Sequence, residues 1–171
     1  MITEPLLVVV ADTSVLINFV HMRRLDMLGP AVGLRAVVPV EVIHELTDPL
    51  QRDAVGAALR SDELFVAGDL SMAELEVYTR LHATLGAGES AALAVAHGRG
   101  AHVACDERRA FLRQATALLG TGRVVNTPGL MLNAISSGTL TVADADELKI
   151  LLEKHRFKMS FDSFARVVRP R

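Results

Sequence analysis

Cysteine is almost missing from this chain of 171 residues: Cys105 stands alone, so no internal disulfide can form. It lies in a β-rich apolar stretch, where cysteine acts as a small buried hydrophobe, and a reducing compartment is expected. No apolar run approaches the ~18 residues of a membrane span, and no charged segment precedes a cleavable apolar one. The expectation is a soluble, cytoplasmic protein. The six histidines show no paired ligand spacing, which with a lone cysteine argues against zinc. A glycine-rich phosphate loop is absent too. Positive charge in bulk is also lacking: the formal net charge of −2 excludes a protein that coats nucleic acid by overall electrostatics.

What is present is half hydrophobic, at 50% of residues. At this length that predicts one domain, residues 1–171, with a sizeable core and a basic helical extension from about residue 142. Charge is spread unevenly. Residues 149–171 hold Lys149, Lys154, Arg156, Lys158, Arg166, Arg169 and Arg171 against Glu153 and Asp162, whereas the first 148 residues carry 11 bases and 18 acids. A basic end beside an acidic body suits phosphate contact next to a site that holds cations.

Leu6 to Ala11 is a continuous apolar run, the pattern of a strand buried on both faces of a parallel sheet. Thr13 to Leu28 repeats apolar residues at helical spacing, as one helix or two short ones ending near Gly29-Pro30. Leu34 to Val38 is a second strand closed by Pro39, and Val40 to Leu46 a helix whose stop is signalled by Asp48-Pro49. A short helix over Gln51 to Leu59 and a small edge strand over Leu64 to Ala67 come next. Ser71 and Glu74 form a capping box for a helix from Met72 to about Leu85, which Gly86-Ala87-Gly88 is expected to break. The next helix, Glu89 to His97, has no polar face and is expected to be packed on nearly every side. His102 to Cys105 and Arg123 to Val125 read as strands. Glu107 to Leu119, Leu130 to Ser136 and Asp144 to His155 read as helices, with Ser160 capping a last short one through Val168. Strands alternating with helices in this way predict a parallel α/β sheet.

Asp12 and Asp106 each sit where an apolar strand ends and a helix begins. Parallel strands would bring both to the carboxyl rim, where open α/β folds place their ligands. Each is also a natural N-cap, yet two capping aspartates at one rim are still two carboxylates together. Glu45 follows Glu41 by one helical turn, a spacing typical of a solvated face. Glu89 opens a helix that must be buried, and a first-turn glutamate gains about 0.3–1 kcal/mol from the helix dipole; a charge entering so apolar a helix also needs a partner or a metal. Two such carboxylates at about 4 Å repel by about 4 kcal/mol at an effective dielectric near 20. No lysine or arginine is adjacent to Asp12, Glu45 or Glu89 in sequence, so the inference is Mg²⁺ or Mn²⁺, which choose oxygen ligands. Such a cluster activates water and clamps a phosphodiester, as in nucleases. Thr13, Ser14, Asn126 and Thr127 fall at the same predicted rim and are candidate supports, with capping or turn roles as their plainer explanation.

At these residues the chain resembles the PIN-domain family, which includes the VapC-type ribonuclease toxins. The markers run from Val8 to about Thr141: the Val-rich strand into Asp12-Thr13-Ser14-Val15-Leu16-Ile17-Asn18, then Val37-Val38-Pro39 through Val42 to Glu45-Leu46, then Gly88-Glu89 with its alanine-rich helix, then Cys105-Asp106-Glu107-Arg108-Arg109-Ala110. The resemblance implies a three-layer α/β/α sandwich with a mostly parallel sheet. It also implies a metal set of Asp12, Glu45, Glu89 and Asp106, supported by Glu107, for RNA cleavage with Mg²⁺ or Mn²⁺. Glu107 stands where the family often has an aspartate. A homodimer is implied as well, for which Met72 to Leu85 could supply the surface, and, for a toxin, an antitoxin protein.

The competing expectation is a catalytically inactive module that binds RNA or protein through its basic end or dimerises. Phe157, Phe161 and Phe164 interleave there with Lys154, Arg156, Lys158 and Arg166, a pattern that stacks bases in some proteins and forms the packed face of a terminal helix in more. A phosphatase with an aspartyl nucleophile fits less well, since Ser14 stands where its second aspartate is expected. A phospho-receiver is disfavoured by Asn126 at the last strand end.

Overall fold

The computed structural model describes residues 6–106 and 109–168. Five strands, β1 (Leu7–Ala11), β2 (Leu34–Val38), β3 (Leu64–Val66), β4 (His102–Ala104) and β5 (Val124–Val125), form one sheet in the order β3-β2-β1-β4-β5. Every pairing is parallel, with Val9 opposite Ala36 on one side and His102 on the other. The chain therefore builds outward from β1 through β2 to β3, then returns to add β4 and β5 on the opposite side. The direction of winding reverses between β1 and β4, and a crevice opens there at the carboxyl ends.

The continuous apolar runs are explained by helices on both faces. Val9, Ala11, Ala36, Val38 and Ala104 face one core with Leu16, Phe19, Val55, Met131 and Leu152, carried by α1 (Thr13–Met22), α3 (Pro49–Arg60), α7 (Thr127–Ser136) and α8 (Val142–Lys154). Val10, Val37 and Val103 face the other with Leu81, Leu93 and Phe111, from α4 (Met72–Leu81), α5 (Ala87–Gly98) and α6 (Arg109–Leu119). The short α2 (Val40–Glu45) comes after β2 and packs on α5. Three layers result, as expected. Residues Ser90 to Ala96 of α5 are all buried, so its missing polar face is explained by neighbours on α2, α4, α6 and the sheet. No described helix is long and apolar enough to cross a membrane.

Several boundaries differ from the expectations for identifiable reasons. Asp48 caps α3 through the Leu50 amide and Pro49 occupies its first turn, so the pair starts a helix as well as ending one. The helix expected to reach Leu28 breaks at Arg23, which takes φ 56°, and continues as a 3₁₀ turn over Leu25–Leu28. The helix from Met72 stops at Leu81 rather than Leu85. Gly86 caps α5, so Ala87 and Gly88 belong to its first turn. α7 begins at Thr127, with the Asn126 side chain accepting from the Gly129 amide. α8 begins at Val142 behind a Thr141 cap. The last cap is Ser163 rather than Ser160, and it heads only a 3₁₀ turn, Phe164–Arg166. Phe164 is fully buried, and Phe157 and Phe161 pack against the first core, so the three phenylalanines do form a packed face.

One buried ion pair ties α4 to the far end of α5. Ser71 and Glu74 make the expected reciprocal capping box. Glu74, only 4% exposed, also accepts from Arg99 Nε at 2.8 Å, while Arg99 Nη1 donates to Ala67 O at 2.6 Å. A Cβ at Gly98 would lie 2.6 Å from Glu74 Cγ, so only glycine leaves room for this carboxylate. The Arg99 hydrogen bond holds the Glu74 carboxyl below its usual range, assisted by Ser71 and opposed by burial. Its contribution is thus present at neutral pH and fades as pH falls through the lowered value. Arg99→Met is expected to cost about 2 kcal/mol at pH 7, because it strands a buried carboxylate. Urea denaturation measures this, and the difference should shrink in acid.

Candidate functional site

The parallel ladder delivers the two aspartates to one place. Asp12 comes directly after β1 and its amide donates to Ala104 O at 3.0 Å, while Asp106 lies two residues beyond that carbonyl. Both stand at the reversal point of the sheet. Asp12 is 2% exposed. Its Oδ2 accepts from Ser14 Oγ at 3.0 Å, from Cys105 Sγ at 3.5 Å and, as an N-cap, from the Ser14 amide at 3.5 Å. Its Oδ1 is buried with no hydrogen-bond partner among the described residues. Burial pushes the Asp12 carboxyl up, against the opposing pull of its hydrogen bonds from Ser14, Thr13 and Cys105.

Glu45 and Glu89 join Asp12 around an open pocket of about 450 Å³ that also includes Thr13, Ser14 and Gly86. None of the described residues lining it is basic. Glu45 is the last residue of α2, and Thr13 Oγ1 donates to its Oε2 at 2.5 Å and the Gly88 amide to its Oε1 at 2.7 Å. This carboxylate rests on the first turn of α5, where a Cβ at Gly88 would come within 2.7 Å of Glu45 Cδ. A side chain at position 88 would displace it. Glu89, in that same turn, accepts from the Gly86 amide at 3.0 Å, the reach-back half of a capping box whose N-cap has no side chain to reciprocate. Its first-turn structural role is therefore real, and it coexists with a place in the acidic pocket.

Asp106 is held from the other side. Its Oδ1 accepts from the Thr127 amide at 2.8 Å, and its Oδ2 from Thr127 Oγ1 at 2.5 Å and Asn18 Nδ2 at 2.9 Å. The Asp106 amide donates to Ser14 Oγ at 3.2 Å, and that hydroxyl in turn donates to Asp12. One hydroxyl thus links the two strand-end acids. The structure brings Asp12, Glu45 and Glu89 into one pocket and ties Asp106 to it through Ser14. Thr13, Ser14 and Thr127 act on the acids directly. Asn126 spends its Oδ1 on the Gly129 amide, at 2.9 Å. Glu107 lies outside the described residues. Two contributors carried no assigned role in the sequence, Asn18 and Gly88. Asn18 falls one helical turn after Ser14, and a buried amide on that face of α1 is the signal that could have found it.

The crowding of acids is relieved in part by neutral donors, which spacing alone does not reveal. Among the described residues no three His, Cys, Asp or Glu side chains are already gathered closely enough to enclose an ion. The acids are spread along the rim. The donors are nonetheless all hard oxygens, and one of them, Asp12 Oδ1, is buried and unmatched. That chemistry fits a cation of the Mg²⁺ or Mn²⁺ kind, and Asp12, Glu45, Glu89 and Asp106 could hold it.

A raised pKa makes the charged Asp12 a liability in the folded state. Above the ordinary aspartate value of 3.8 the folded chain holds more protons than the unfolded one, so stability falls as pH rises through the raised value. Asp12→Asn is therefore expected to melt above the wild type at pH 7 without divalent metal, and the difference should close as pH drops toward 4. A gap independent of pH in thermal melts would contradict this.

No curated protein and no solved structure matches the chain. A family model described as a PIN domain matches residues 8–169, which spans all five strands, the four acids and the C-terminal segment. PIN domains are generally nucleases that use divalent metals. With its all-parallel sheet, its helices on both faces and its acids at the crossover, this chain belongs to the PIN-domain family.

Proposed function

We propose that the chain is a divalent-metal-dependent endoribonuclease that hydrolyses RNA phosphodiester bonds, with Asp12, Glu45, Glu89 and Asp106 as its metal-holding, catalytic acids. The observation that carries this reading is Asp12 Oδ1, a buried carboxylate oxygen without a partner among the described residues, on a side chain lining an acidic pocket. A buried charge left in that condition is costly unless a cation compensates it. When bound, Mg²⁺ or Mn²⁺ supplies Lewis acidity toward the phosphate and the attacking water. The chain's own residues set the geometry: Thr13 and the Gly88 amide fix Glu45, Asn18 and Thr127 orient Asp106, and Ser14 keeps the two strand-end aspartates in register.

RNA should be cleaved with Mg²⁺ or Mn²⁺ and spared by EDTA. Asp12→Asn and Asp106→Asn should each lower kcat/KM by about 10³-fold, the loss of several kcal/mol of transition-state stabilisation, while circular dichroism stays unchanged. RNA left intact by a folded sample under both metals overturns the reading.

A second reading, an inactive RNA- or protein-binding or dimerisation module, draws on the hydrogen bonds that already occupy Glu45 and Asp106. Titration with Mn²⁺ separates the two, because only the nuclease should lose affinity on Asp12→Asn. The proposal extends to a homodimer built on α4, where Met72 and Leu75 are 75% and 43% exposed, and, through the resemblance to VapC-type toxins, to a toxin held by an antitoxin protein. Sedimentation at twice the monomer mass and growth arrest on induction are the results expected.

A further inference from the structure

Beside the acidic pocket lies a larger cleft of about 740 Å³, and Asp106 forms part of its wall. Its other sides come from three separate parts of the chain: Leu112 on α6, the head of α7 at Asn126, and the segment after α8 that carries Phe157, Lys158 and Phe161. That segment is anchored at both ends. The Phe157 amide donates to Leu152 O at 3.0 Å. Further on, the Phe164 amide and the Ser163 hydroxyl both donate to Asp146, at 2.8 and 2.6 Å, and Phe161 stands edge-on to the buried Phe164, with centroids 4.9 Å apart. The cleft is therefore held open by packing rather than by a free tail.

Its surface is of mixed character. Leu112 is 43% exposed, Phe157 and Phe161 are half-buried, and Lys158 is exposed at the mouth. Apolar walls with one cation and one amide match a flat heteroaromatic ring attached to a phosphate, and the volume falls in the range of small-ligand sites. A base can enter only if it is unstacked, which a duplex does not permit.

We propose that this cleft seats a nucleobase of single-stranded RNA beside the bond that is cleaved, with Phe157 as the stacking surface and Lys158 as the contact to a backbone phosphate. The position of the bond rests on the nuclease reading; the seating of the base does not. Asn126 completes the site. Its Oδ1 is committed to the Gly129 amide, so the group it offers a base edge is its NH₂.

The test is the binding of a fluorescein-labelled single-stranded RNA of about eight nucleotides to the full chain in EDTA, measured by anisotropy. Phe157→Leu keeps an apolar side chain against the core but removes the ring, and should weaken binding by about tenfold. Lys158→Gln, at an exposed position, should reduce the slope of log affinity against log salt by about one. In cleavage assays both variants should raise KM with kcat little changed. Equal affinity of wild type, Phe157→Leu and Lys158→Gln overturns the proposal, as does failure of the wild type to bind. Weakened binding by the variants of a wild type that cleaves nothing keeps the cleft and removes the nuclease. Cleavage with KM unchanged in both variants does the reverse.

Discussion

A carboxylate has been taken out of water at the crossover of a parallel sheet, and much of the rim is arranged around that fact. Asp12 lies there because β1 is the first strand and the centre of the sheet: strands added on either side and helices above and below leave its carboxyl end inside the molecule. Only one of its two oxygens is met by donors. The protein tolerates this because Ser14, Cys105 and the turn into α1 partly solvate the group, and because the net stability of a domain of this size survives one such liability. Placing strained electrostatics where function needs it is common in folded proteins.

The same rim depends on α5 in a way that its composition hides. This helix is packed on nearly all sides, yet each end receives a glutamate from another element, Glu45 over Gly88 and Glu74 against Gly98. The two glycines let carboxylates come close to the backbone at each end of a helix whose middle admits only small apolar residues. Tight packing of α5 and the placement of Glu45 are therefore one requirement: α5 cannot shift along its axis without moving an acid of the pocket.

Much of this could be read from the chain. The continuous run Leu7 to Ala11 with an aspartate directly after it indicated a doubly covered strand and the rim it leads to, since burial on both faces leaves a mark in every residue. The Ser71–Glu74 box was local and visible. The failures were tertiary. Gly86-Ala87-Gly88 looks like a helix breaker because the reason for Gly88, a carboxylate 43 positions away, does not show in neighbouring residues. Asn18 is lost inside a helical pattern, and its value comes from Asp106 and Thr127 on distant elements. Asp48-Pro49 carries both a stop and a start, and only the end of α2 distinguishes them. Ser160 and Ser163 were equivalent candidates until Asp146 on α8 selected the second.

Both borders of the sheet are very short: β3 has three residues and β5 only two. A border of that length offers too few unpaired amides and carbonyls for another chain to extend the ladder. Growth of this sheet by strand addition, whether into a shared intermolecular sheet or into fibrils, is discouraged by construction, so contacts between copies or with other proteins are left to the side chains of helices.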